Sequence, residues 1–334
     1  MDTIEPIARW IHIIAGITWI GLLYFFNFIN GHLAATYDAD SKKKVVPELM
    51  PRALYWFRWG AAWTWFSGII LIGLVFYVGN MKAGDDLSGA MAETEEVVVI
   101  DDSGNTEIVD SESWEATEYD DTEKGCFTNG AIDKSINKET CESLGDKAEW
   151  VEDADIVSGK IDIWVYLCYG ITFLAFILYD FIYKSSVGKN TRVATLISFG
   201  LVAAFIYFMS HFANFSYRAY NIHIGAMFGT IMAFNVWFRI WPAQQRIISA
   251  IKEGTAPNAS DVGLAGLRSK HNTYMSVPLI WTMINYHTAG GGFNKIVISE
   301  NYVIPGEISL LFFIALGWHI VFQLYRKSGK VKGF

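Results

Sequence analysis

The chain has only three cysteines, seven prolines and seven histidines in 334 residues. Three cysteines cannot staple a small disulfide-rich fold. No C-x-x-C-H occurs, so haem is not attached through thioether bonds. There is no dinucleotide glycine fingerprint and no phosphate-cradling loop, which excludes the common nucleotide-binding enzymes, and no nucleic-acid partner is expected. No compact cluster of His, Cys and carboxylate appears in the sequence, which argues against zinc. What is present is apolar: 52% hydrophobic and 16% aromatic residues, with 13 Trp. These residues come in long blocks nearly free of charge.

Seven blocks are long enough to cross a bilayer, at about 7–29, 53–79, 161–183, 193–212, 218–241, 274–290 and 305–325. With no water in the hydrocarbon, each must be a helix. The fold class is therefore all-α, a polytopic membrane bundle of about seven helices. The first block is too long for a signal peptide and lacks a small-residue cleavage site, so it reads as a retained span. Basic residues recur in alternate links: Lys42, Lys43, Lys44 and Arg52; Lys184, Lys189 and Arg192; Arg246, Lys252, Arg268 and Lys270; Arg326, Lys327, Lys330 and Lys332. With seven crossings these links share one side, which the positive-inside rule makes cytoplasmic. The N-terminus is then outside and the C-terminus inside, as expected for a multi-pass protein of a bacterial cytoplasmic membrane. PAQQRIISAIKE, residues 242–253, reads as a short amphipathic helix on the inner surface.

Residues 83–158 break the apolar pattern and divide the chain into 1–82, 83–158 and 159–334. This outer segment holds 23 Asp and Glu against four Lys, a net of −19 where the whole chain carries −8, so the remainder carries +11. It also holds Cys126 and Cys141, which an oxidising compartment allows to pair. The segment reads as a solvated insertion or as a docking surface for a basic partner such as a cytochrome c. The run DDSGNTEIVD from Asp101 misplaces its glycine for an EF-hand. Cys168 lies within the third span and suits packing.

Ionisable groups inside spans are costly and often functional. His12, His211, His223 and His287 come from four helices and lie at similar depth near the outer surface. His319 lies deeper, and His32 and His271 at the inner surface. A histidine layer in a helical bundle suits b-type haem, which gives His12, His223, His287 and His319 as candidate iron ligands. Small residues follow two of them, Ala15 and Gly16 after His12, and Gly225, Ala226 and Gly229 after His223, although these are also ordinary helix-packing residues. Arg218, Asn285 and His287 surround the outer mouth and are candidates for holding a small polar substrate. Arg58 and Asp180 lie near the inner surface, where snorkelling or mutual pairing accounts for them.

Three stretches carry a likeness: RALYWFRWGAAWTWFSG from Arg52, NIHIGAMFGTIMAFNVWFRIWPAQQRII from Asn221, and RSKHNTYMSVPLIWTMINYH from Arg268. Together with WIHIIAGITWIG from Trp10, they resemble the membrane-integral urate hydroxylase family of the PuuD type. The resemblance covers most of the chain outside 83–158. It implies oxidation of urate to 5-hydroxyisourate, with electrons passed to cytochrome c. Family members have eight spans followed by a cytochrome c domain, whereas this chain shows seven spans and no C-x-x-C-H. The resemblance thus implies an external cytochrome c, or another respiratory subunit, as electron acceptor. A b-type cytochrome relay subunit of a larger complex is the alternative, and a transporter or receptor without redox chemistry the third reading.

Overall fold

The computed structural model describes residues 4–78, 97–100, 106–109, 125–128, 131–133, 138–143, 148–151, 163–213, 215–286, 295–299 and 302–331. The chain is a bundle of long helices. α1 (Ile4–Tyr24) runs through a widened π-turn at Phe25–Asn30 into the short α2 (Gly31–Ala34). Asp38 then caps α3 (Ala39–Ile72), its carboxylate accepting from the Ser41 amide, and a second π-turn, Gly73–Val78, closes that span. Those hydrogen bonds from Ser41, the amide's first, hold the Asp38 carboxyl below its ordinary range. α4 (Lys138–Ser143) lies in the acidic segment. α5 (Ile163–Lys184) and α6 (Thr191–His211) follow, α6 capped by Asn190. Ser216 caps α7 (Tyr217–Asn235), which passes through a third π-turn, Val236–Ile240, into α8 (Trp241–Glu253). α8 carries Pro242 in its first turn and stops at Gly254, whose φ of 77° suits glycine. α9 (Ala259–Tyr286) and α10 (Gly306–Ser328) complete the bundle.

Among the described residues, six helical segments are long and apolar enough to cross a membrane: Ile4–Ala34, Ala39–Tyr77, Ile163–Lys184, Thr191–His211, Tyr217–Glu253 and Gly306–Ser328. This is the multi-pass architecture expected from the hydropathy. α9 is the seventh long helix and differs in kind. Arg268, Asn272, Thr273, Ser276, Thr282 and Asn285 along it are all buried. It packs against α7 and α10 as well as α8 and α1. α7 is the central helix, with 61% of its most apolar window buried against 17–33% in the other five segments. The peripheral helices turn large apolar residues outward, such as Ile7, Trp10, Ile14 and Ile17 of α1, as a lipid-facing surface requires.

Small residues set how closely the helices approach. A Cβ on Gly60 would sit 3.2 Å from the Trp19 amide nitrogen, so α1 and α3 meet backbone to backbone. A Cβ on Gly225 would sit 2.2 Å from Thr282 Oγ1, and one on Gly317 2.9 Å from Pro278 Cδ. These two contacts bring α7 and α10 against α9.

Small sheets lie outside the long helices. β1 (Val97–Ile100) pairs antiparallel with β2 (Thr106–Val109). β3 (Gly125–Thr128) is the middle strand between β4 (Ala131–Asp133) and β5 (Ala148–Val151). Cys126 of β3 is disulfide-bonded to Cys141 of α4, the pairing expected from the outer location. β6 (Lys295–Ser299) and β7 (Tyr302–Pro305) form a hairpin leading into α10.

Two expectations at the basic end need correction. Arg268 and His271 do not belong to a loop. α9 begins at Ala259, and Arg268 is fully buried against α5. Arg58 does not pair with Asp180 either. Its guanidinium lies 4.2 Å from the ring centre of Trp241, and Asp180 is taken by other cations. The first difference arises because the polar start of α9 reads as loop by hydropathy, the second because position along a helix is readable and rotation about its axis is not.

Candidate functional site within the bundle

The end of the bundle carrying the first turns of α1 and α7 is called outer below, following the charge distribution. In the outer half, α1, α3 with its π-turn, α5, α7 and α9 line a half-open cavity of about 390 Å³. Gly68, Gly225, Ala226 and Gly229 leave room on its walls, while Trp65, Ile72, Phe76 and Phe173 supply apolar surface. Its few polar liners are Arg9, His12, Thr64, Trp65 and Thr230. A mostly apolar chamber with a few converging polar groups is the usual form of a small-molecule site.

His12 is the imidazole among the described liners of that chamber. Ser67 donates its hydroxyl proton to the Trp63 carbonyl at 2.6 Å. Its oxygen, 3.1 Å from His12 Nδ1, is therefore placed to accept from Nδ1–H. The inferred tautomer leaves the imidazole lone pair on Nε2. Arg9 is held by Glu5 one turn away, with Arg9 Nε 2.8 Å and Nη2 2.5 Å from Glu5 Oε1. Trp65 Nε1 donates to Thr230 Oγ1 at 3.1 Å, tying α3 to α7 across the chamber.

His223 sits beside this chamber rather than in it. Its Nδ1 lies 2.7 Å from the Ala219 carbonyl and its Nε2 2.8 Å from the Tyr77 hydroxyl. Nδ1–H donates to the carbonyl and Nε2 accepts from Tyr77, so both nitrogens are occupied. Phe76, Tyr77 and Phe215 pack around the ring. His319 is exposed on α10 and hydrogen-bonds Gln323 at 3.1 Å. His287 lies outside the described residues. Of the remaining three, His211 is stacked on Tyr207 at the surface, His32 meets Ser328, and His271 meets Tyr179.

A bis-histidine haem needs two imidazoles with free nitrogens facing each other across one chamber. Among the described residues, His12 is the histidine that lines it. His223 has both nitrogens engaged, and His319 points out of the bundle. Among the described residues no second imidazole with a free nitrogen faces His12 across the chamber, and His287 lies outside them.

The outer-mouth candidates also separate. Asn285 is buried and donates to the Tyr217 hydroxyl at 2.6 Å, joining α9 to α7. Arg218 is half-buried in the first turn of α7 and does not line the chamber. Asn221, beside the chamber, donates to the Thr282 carbonyl at 3.0 Å and keeps a buried Oδ1 with no partner.

A second polar centre was not anticipated as a unit. Asp180 Oδ1 accepts from Arg239 Nε at 3.0 Å and from Arg268 Nη2 at 2.9 Å. Its Oδ2 accepts from Arg239 Nη2 at 2.5 Å and Lys184 Nζ at 2.8 Å. Deeper in the bundle, Asn235 donates to Tyr179 and to Asn272, while Asn272 donates to the Met232 carbonyl. The signal in the sequence was a lone acid, Asp180, at the same depth as Arg239 and Arg268 on two other spans.

These features define a multi-pass membrane protein with a small-molecule chamber in the outer half of its helices. The family model described as urate oxidase N-terminal matches residues 36–87 and 153–320, and the chain belongs to that family, in keeping with a PuuD-type urate oxidase. The matched segments supply α3 and α5 to α9 with most of α10, and they leave out residues 1–35, which hold α1 with Arg9 and His12, and 88–152, the bulk of the acidic segment. Membership marks the chain as a urate-related oxidoreductase. No curated protein and no solved structure matches it.

Proposed function

We propose that this chain oxidises urate in the chamber beside His12 and passes the electrons to an external cytochrome c or another respiratory subunit. The family match is the observation that carries this reading. The chamber suits a planar bicyclic substrate, with apolar walls for the ring faces and a few polar groups for its edge. Urate is an anion, and Arg9, paired with Glu5, is the cationic donor among the liners that can turn an N–H to it. His12, with its lone pair on Nε2, takes a proton from the substrate as it is oxidised, a role suited to imidazole near neutral pH. Hydroxylation by water releases two electrons and two protons per urate. Two one-electron carriers or one two-electron carrier take up the electrons. The acidic segment, net −19, draws a basic carrier toward the outer face. The protein works in a bacterial cytoplasmic membrane.

The test is urate-dependent reduction of added cytochrome c by the purified protein, followed beside its own absorption spectrum. Reduction that is lost in His12→Ala supports the proposal. A protein that reduces no carrier with urate, yet shows a b-type haem band and co-purifies with other subunits, would replace it by an electron-relay role. A b-type band that urate itself bleaches or reduces would restore haem to the mechanism, with His12 as its ligand.

A further inference from the structure

The inner ends of α5 and α7 hold an excess of positive charge beside an exposed apolar face. Lys184, Arg239 and Arg268 all pair with Asp180. Among the described residues none of the three pairs with a second carboxylate, so the cluster carries two uncompensated positive charges. Arg268 is 1% exposed, and its Nε and Nη1 have no hydrogen-bond partner. Charge of this kind at the edge of a low-dielectric bundle calls for a counter-anion.

The surroundings say what kind of anion. Lys184 and Arg239 remain partly exposed, so the rim is reachable from the membrane surface. Toward the middle of the membrane the same two helices present Ile177, Phe181 and Phe238, which are 57%, 70% and 62% exposed. Between them Phe176 stacks on Phe234 with ring centres 4.4 Å apart, and the Arg239 guanidinium lies 5.3 Å from the Phe234 ring. Cations at the rim above exposed apolar side chains match an amphiphile with an anionic head. A free inorganic anion has no use for the lower half.

We propose that this basic rim and the apolar face beneath it bind an anionic phospholipid of the inner leaflet. Its phosphate meets Lys184, Arg239 and the cationic field of Arg268, and its acyl chains lie on Ile177, Phe181 and Phe238. Basic pockets between spans on the cytoplasmic side commonly hold such headgroups.

The full-length protein, washed free of lipid in mild detergent, is titrated with phosphatidylglycerol, phosphatidylcholine or inorganic phosphate. Lipid retention is read by native mass spectrometry and stability by thermal melting. Phosphatidylglycerol is expected to be retained and to raise the melting temperature, while the other two do neither. Lys184→Gln should weaken retention about fivefold, and Lys184→Arg should restore it. Equal retention of phosphatidylcholine overturns the proposal. So does an inorganic phosphate effect matching that of the lipid, or a Lys184→Gln protein that retains phosphatidylglycerol like the parent. The comparison of the three ligands on the unaltered protein decides the matter even if the variants fold poorly. None of these outcomes depends on urate turnover.

Discussion

A histidine can move a proton only if one ring nitrogen is left for the task, and His12 and His223 divide on that point. Ser67 takes one nitrogen of His12, whereas Ala219 and Tyr77 take both of His223. Their variants should therefore fail in different ways. His12→Ala should lower urate-dependent kcat/KM by about a hundredfold, within the usual range for a lost general base, with the melting temperature nearly unchanged. His223→Ala should leave the Tyr77 hydroxyl without its partner and a void where the buried ring packed, at a cost of about 1–3 kcal/mol read as a lower melting temperature. The sequence placed these histidines at similar depths because depth follows from counting along a helix. It could not separate them, because which way a ring turns depends on neighbouring helices. Asn285 shows the same limit, since it closes onto Tyr217 and not onto an open mouth.

Helix meets helix here through small residues, and Gly225 marks the tightest place. Gly225→Ala would drive a methyl into Thr282, so α7 and α9 must shift apart. A loss of about 1–3 kcal/mol is expected, measurable by thermal melting, together with weaker urate binding because Gly225 also lines the chamber. On the inner surface, Arg246 holds Asp261 with two hydrogen bonds, at 2.5 and 3.0 Å, and so fastens α8 to the start of α9. The bonds from Arg246 keep the Asp261 carboxyl below its ordinary value of 3.8. A carboxyl lowered by folding adds stability at pH above its ordinary value and loses that share as pH falls through the folded one. Melting curves should thus show a steeper acid limb in the parent protein than in Asp261→Asn. The spans were legible as elements because hydropathy depends only on composition. α9 was legible only in its apolar half, since its polar face reads as surface until its partners are known.

The whole molecule is electrically lopsided, with −19 on residues 83–158 and +11 on everything else. If the acidic segment steers a basic carrier, the second-order rate of carrier reduction should fall steeply as salt rises past about 0.1 M, where the Debye length shortens to about 10 Å. Deleting residues 88–152, which lie outside the family match, should flatten that dependence and leave saturating turnover intact. A salt-independent rate in the parent protein would make the segment a solvated insertion instead. Charge and hydropathy, summed over long stretches, made the membrane class readable from the start. The chamber was not readable, because it is built by five helices whose lining residues are far apart in sequence.

The buried polar face of α9 has a consequence for biogenesis. The six apolar segments can each leave the translocon for lipid on their own hydropathy, but α9 brings Arg268, Asn272 and Asn285 with it. It settles in the bilayer by handing those groups to α5 and α7, which are synthesised before it. Insertion of the last quarter of the chain is therefore assisted by the spans that precede it. A topology reporter fused beyond residue 290 should cross correctly behind the whole chain, and fail to do so when α9 is made without α5 and α7.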